Sequence, residues 1–269
     1  MERTTLAEQG ARLPIGHLVE EPDKFEGGLA CRPWRLKEER ELGKIRSDKD
    51  QTSGQYASAI LCYMLTVFGK FKNFGELPEH EKRLIVNQAP LADVLFAYVW
   101  LRTQALGTRV KIDTSCEFCR APIPWKADLG SMEIDRIEGP EDLVVEHELR
   151  DGIEINGNLY REIKIGPPLW AVFEQVNPDE ASGFGLGEMK ALMIRSGIKA
   201  VKGIDNLILT ADHLDTMSKF DLEHVNHVIE DRTPGPELVF EIKCGRCRRK
   251  FQQAIDWNYD AFFGQSSLW

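Results

Sequence analysis

The chain of 269 residues has no long apolar run. Its longest, from Ala57 to Phe68, is too short and too interrupted to cross a bilayer. The first residues are polar and charged rather than a leader, so neither a signal peptide nor a membrane anchor is expected, and an intracellular folding compartment follows. Net positive charge is also missing: a formal charge of −9 argues against a nucleic-acid binder at the level of the whole chain. Catalytic fingerprints are scarce. There is no Gly-x-Ser-x-Gly elbow and no His-Glu-x-x-His. Gly183-Phe184-Gly185-Leu186-Gly187 precedes a helix, but its spacing fits neither the dinucleotide nor the Walker fingerprint, so a loop is expected there. His224-Val-Asn-His227 puts two imidazoles on one helical face beside Glu223, while His147-Glu148 sits in a strand pattern with no matching partner in sequence. These read as surface histidines.

Cysteine is sparse too, and its arrangement is the main signal. Of six cysteines, four form two CxxC pairs, Cys116-Glu-Phe-Cys119 and Cys244-Gly-Arg-Cys247, with 124 residues between them. Each pair has alternating apolar residues on both sides, so each reads as strand, knuckle, strand. The halves resemble each other: Val110 aligns with Leu238, Ile112 with Phe240, Arg120 with Arg248, Ile123 with Phe251 and Asp128 with Asp256. Four thiolates hold one tetrahedral ion only if the pairs meet in space, so Cys116, Cys119, Cys244 and Cys247 are expected to bind one Zn²⁺ in a zinc ribbon cut in half. Four sulfurs leave no open position for water, so this zinc is expected to be structural, with no catalytic residues and no enzyme activity. A thioredoxin-like pair would start a helix within a βαβ pattern, whereas strands surround both pairs here. Cys62 lies in an apolar helical setting, and with Cys31 it reads as an ordinary free thiol.

Leu36 to Ile45 reads as a charged helix, and an apolar helix follows from about Gln55 to Phe68, ended by Gly69. Pro78 and Pro90 each open a further helix, and Gly107 closes the last. Three helices with apolar stripes predict a small bundle. The segment from Leu143 to Ile165 alternates and carries two hairpin signals, Asp151-Gly152 and Asn156-Gly157, which predicts a β-meander. Shorter helices are expected near Leu169 to Val176 and from Gly187 to Ser196, and a pair of helices over about Ala211 to Glu230, before Thr233-Pro234-Gly235-Pro236 returns the chain to the second ribbon half. The expected class is α+β: an N-terminal strand and helical bundle (1–108) packed on a split four-cysteine zinc ribbon (109–130 and 236–259). A long mixed α/β insertion (131–235) lies between the knuckles, and an aromatic tail (260–269) ends the chain. Phe262, Phe263, Leu268 and Trp269 of that tail are candidate partner-binding residues. A basic cluster from Arg246 to Lys250 supports an alternative, a zinc-ribbon nucleic-acid-binding or regulatory module.

Three patches carry a resemblance. They are the strand-to-helix stretch Leu29-Ala30-Cys31-Arg32-Pro33-Trp34 running into Glu38-Glu39, the first knuckle with Ala127-Asp128-Leu129 after it, and the second knuckle leading to Ile255-Asp256 and the Phe262 to Trp269 ending. In their order the chain resembles the baseplate hub and hub-assembly proteins of contractile-tailed bacteriophages of the T-even type and related contractile injection systems. The resemblance implies a non-enzymatic role in tail morphogenesis, as a hub subunit or a hub-assembly chaperone. Implied partners are other tail or baseplate proteins (hub, tube or wedge) or further copies of the chain; composition argues against a membrane and against nucleic acid. The implied location is the host cytoplasm during assembly, with retention in the virion baseplate if the chain is a subunit.

Overall fold

Pro90 sets the start of helix α5 (Leu91–Leu106), and Gly107, at φ 80°, ends it. From Leu91 to Arg102 every residue but Leu95 is buried, and a helix buried all round belongs at the centre of a core rather than on its rim. The computed structural model describes residues 2–16, 28–46, 51–137, 143–174, 186–204, 207–237 and 239–254, and the architecture below concerns these. They form a mixed α/β protein of nine helices and five small antiparallel sheets. Around α5 pack α1 (Leu6–Gln9), α2 (Leu36–Arg46), α3 (Ser53–Met64) and α4 (Glu79–Gln88). Two sheets join them: β2 (Gly28–Cys31) with β3 (Leu65–Gly69), and β1 (Glu2–Thr5) with β6 (Glu133–Arg136) and β10 (Gly235–Pro236).

The expected fold class is corrected on this point, because no separate N-terminal helical bundle forms among the described residues. The helix expected to reach Phe68 stops at Met64. Leu65–Gly69 becomes β3 instead, with β-branched Val67 opposite Ala30 and Phe68 opposite Leu29. Trp170, which lies between the two CxxC pairs in sequence, is fully buried in the same core and donates from Nε1 to Ser58 Oγ at 2.7 Å. The helices thus share their core with strands and with a distant part of the chain. A helix surrounded in this way has no free stripe with which to make a bundle.

A second core fills the lobe between the knuckles. There β7 (Val145–Ile155), β8 (Asn158–Ile165) and β9 (Ile198–Val201) form a sheet beneath α7 (Leu186–Gly197), α8 (Ala211–Asp215) and α9 (Lys219–Arg232). Only one of the two hairpin signals makes a turn. Asn156 and Gly157, at φ 52° and 77°, link β7 to β8, whereas β7 runs on through Asp151-Gly152 as a bulge. Asp221 of α9 explains the bulge: its carboxylate accepts backbone N–H bonds from Arg150 at 2.8 Å, Asp151 at 2.9 Å and Gly152 at 3.0 Å. A side chain from another element supplies the acceptors that a tight turn would otherwise supply. Burial alone would raise the Asp221 pKa, but these three donors and Ser218 outweigh it and hold the carboxyl below its ordinary value.

Between the cores, α6 (Ala171–Glu174) meets the start of α3 backbone to backbone. Thr52 caps α3 by accepting from Gln55 N at 3.1 Å and donates from Oγ1 to the Glu174 carbonyl at 3.1 Å. A Cβ on Gly54 would collide with the Phe173 carbonyl, and backbone cannot swing aside. Gly54→Ala is therefore expected to cost about 1–3 kcal/mol in urea unfolding despite the better helix propensity of alanine. Asp221→Ala should cost roughly 2–4 kcal/mol, because three amides lose their acceptor. The pKa of Asp221 is lowered on folding, so its contribution is present above the unfolded value of about 4 and is lost as pH falls through the lower folded value. Acid unfolding of Asp221→Asn should lack that component.

Candidate metal centre

Two short hairpins carry the CxxC pairs: β4 (Arg109–Ser115) with β5 (Pro122–Asp128), and β11 (Val239–Lys243) with β12 (Lys250–Ala254). The main core aims the first. Buried Arg102 of α5 donates to the carbonyls of Gly107 at 2.7 Å and Arg109 at 3.1 Å, which fixes the exit of α5 and the entrance of β4. The same core aims the second. Directly after the first hairpin comes β6, and directly before the second comes β10; these pair antiparallel, with Pro236 opposite Ile134 and Glu237 N donating to the Glu133 carbonyl at 3.0 Å. One small sheet thereby launches both hairpins side by side. Trp125 then meets Phe240 edge-on at 5.3 Å between ring centres, and Thr114 Oγ1 donates to Gln253 Oε1 at 2.7 Å.

The knuckles have the same backbone. Cys116 N donates to the Ala121 carbonyl and Arg120 N to the Cys116 carbonyl; Cys244 N donates to the Arg249 carbonyl and Arg248 N to the Cys244 carbonyl. Arg120 and Arg248 close the two turns in the left-handed region, at φ 56° and 61°. That conformation turns both sulfurs of each pair to one side. Across the hairpins, Cys116 Sγ lies 3.6 Å from Cys247 Sγ, and Cys119 Sγ lies 3.7 Å from Cys244 Sγ. All four sulfurs fall within 4.8 Å of one another.

These spacings fit a metal rather than disulfides, whose sulfurs would sit about 2 Å apart. Four thiolates at about 2.3 Å from a central ion would form a tetrahedron with edges of about 3.8 Å, close to both measured gaps. Cys116 and Cys244 are buried beside Ile242 and Phe251, while Cys119 and Cys247 are partly exposed. The Cys247 N–H points at Cys244 Sγ from 3.5 Å and is the main cause of a lowered Cys244 pKa, whereas at Cys247 the Arg249 N–H is outweighed by burial and the neighbouring sulfurs, which push that thiol up, so the two thiols share a proton between them. By contrast, burial in the main core pushes the Cys62 thiol up to about 12. The four expected cysteines therefore do come together, and they can hold a metal ion.

The other candidate positions fare differently. Phe262, Phe263, Leu268 and Trp269 lie outside the described residues, as do Gly183 and Gly185 of the glycine-rich loop. His224 is no isolated surface histidine: its ring stacks on His147 at 4.8 Å and on Phe220 at 6.0 Å, next to Arg150, which lies 4.0 Å over Phe220. Desolvation and the neighbouring imidazole lower the His147 pKa. Nothing in sequence pairs residue 147 with residue 224, so this cluster was not legible there; the packing of α9 on β7 brings the two rings together. Among the described residues no helix is long and apolar enough to cross a membrane. No protein-family model matches this chain, and no match was found among curated proteins or solved structures.

Elemental analysis of the purified chain should find about one tightly bound metal ion per molecule, and cobalt(II) should give the visible bands of a tetrahedral thiolate site. Cys116→Ser or Cys244→Ser is expected to abolish that stoichiometry and to lower the melting temperature, because the hairpins lose the tie between them.

Proposed function

We propose that the four cysteines hold one structural Zn²⁺ and that the chain is a non-enzymatic structural or assembly protein of a contractile-tail baseplate. The match of the sulfur spacing to a tetrahedral thiolate site carries the zinc part of this reading. Such a site would be coordinatively closed, so the ion supplies stiffness and no Lewis-acid position. The residues that would hold it are Cys116, Cys119, Cys244 and Cys247. The three sequence patches similar to hub and hub-assembly proteins supply the biological setting. In that setting the chain works through surfaces, in the host cytoplasm as tails assemble and in the baseplate if it is retained, against hub, tube or wedge proteins.

Zinc then has a mechanical task. It ties two hairpins that are too small to persist alone, and so fixes the strand leading toward the aromatic ending. Phe262, Phe263, Leu268 and Trp269 are proposed as the part of that ending which enters a partner. Truncation before Phe262 should leave zinc content unchanged and abolish co-purification with tail proteins. Loss of the gene should arrest tails before a complete baseplate, and mass spectrometry of finished particles separates a subunit from a departing chaperone. Normal tails without the chain would overturn the baseplate reading.

A further inference from the structure

The outer end of the paired hairpins concentrates a charge opposite to that of the chain. Together the hairpins hold nine Lys and Arg against four Asp and Glu, in a protein of net charge −9. Arg120 and Arg248 stand at equivalent left-handed positions, and Arg246 and Arg249 flank Cys247 on either side; all four are exposed. Lys250 is already occupied, 2.7 Å from Glu241. Arg120, Arg246 and Arg248 make no ion pair among the described residues. Beside them Phe118, 49% exposed, carries the Arg249 guanidinium 5.0 Å from its ring centre. The two knuckles meet at their sulfurs, so the exposed Phe118 face, already bearing Arg249, shares one end of the hairpins with the guanidinium groups of Arg120, Arg246 and Arg248.

We propose that this tip docks a protein segment presenting clustered carboxylates next to an apolar side chain. The carboxylates pair with Arg120, Arg246 and Arg248, and the apolar group rests on the open part of Phe118. Charge complementarity selects an anionic partner, and arginine's planar fork suits carboxylates in two-point contact. Glu117 chooses between anionic partners. It is exposed between Cys116 and Phe118 and makes no ion pair among the described residues. A nucleic-acid backbone offers it only like charge, whereas a protein segment can set a lysine opposite it. This inference rests on the reading of the chain as an assembly protein and gives its partner a chemistry.

The test uses the full, metal-loaded chain in fluorescence anisotropy with two labelled probes, a peptide of Glu-Glu-Leu repeats and an oligothymidylate of matched charge. The peptide should bind, and binding should weaken as salt rises. The triple variant Arg120→Glu, Arg246→Glu, Arg248→Glu should bind at least about tenfold more weakly, and Phe118→Ala should weaken binding while every arginine remains. Metal content equal to that of the parent chain certifies the fold of each variant. If charge reversal disturbs the knuckles, Arg246→Gln with Arg248→Gln reads the same effect at smaller amplitude. Absence of peptide binding at low salt, unchanged affinity in the variants, or preference for oligothymidylate would overturn the proposal. Any of these with the metal retained and tail proteins still co-purifying removes only this docking surface; loss of co-purification instead strikes the assembly reading.

Discussion

Four sulfurs from opposite ends of a 124-residue interval must meet within a few ångströms, and much of the architecture serves that meeting. Closing so long a loop is entropically costly, and neither hairpin has a core able to offset it. The buried side chains between them are Cys116, Ile242, Cys244 and Phe251. The offset comes from the body of the protein. Pairing of β6 with β10 holds the two ends of the interval together without using any sulfur, and the Arg102 bonds tie the start of the first hairpin to the end of α5. A metal ion bound there would complete a geometry already close to its own, the condition under which binding energy adds to folding energy.

The interval itself is handled by dividing its contents. Part joins the main core, through Ile134 in the launching sheet and through Trp170 beneath α3. The rest closes on its own core beneath α7, α8 and α9. Contacts such as Trp170 with Ser58 and Thr52 with Glu174 keep the middle of the chain on the same body from which both hairpins emerge. The basic tip then stands at the far end of the hairpins, where a chain of net negative charge presents a cluster of exposed arginines.

Local chemistry made several elements legible. Proline at residues 78 and 90 and glycine at 107 mark the bounds of α4 and α5, and Asn156-Gly157 marks the turn between β7 and β8. The knuckles were legible for the same reason, since two residues between cysteines that are flanked by strands read as a tight turn with both sulfurs on one side. Other elements misled because a distant residue changed their meaning. Leu65 to Gly69 continues an apolar helix by composition, yet β2 draws it into a strand. Asp151-Gly152 is a hairpin signal, yet Asp221 on α9 satisfies its amides and straightens it into a bulge. The apolar stripe on α5 suggested one packed face, whereas from Leu91 to Arg102 the helix is enclosed on nearly every side.

By itself the sequence determined which four cysteines could share a metal ion, the two knuckles, the bounds of the helices next to proline and glycine, and the charge contrast between ribbon and body. Each of these depends on side-chain chemistry and on spacings of a few residues, and local sterics suffice to set them. Tertiary structure alone decided that the cysteine pairs meet at tetrahedral spacing, that the helices form no separate bundle among the described residues, and that Arg249 lies over Phe118 on the exposed tip. Those outcomes depend on which distant surfaces bury one another, and a pattern read along the chain carries no term for that.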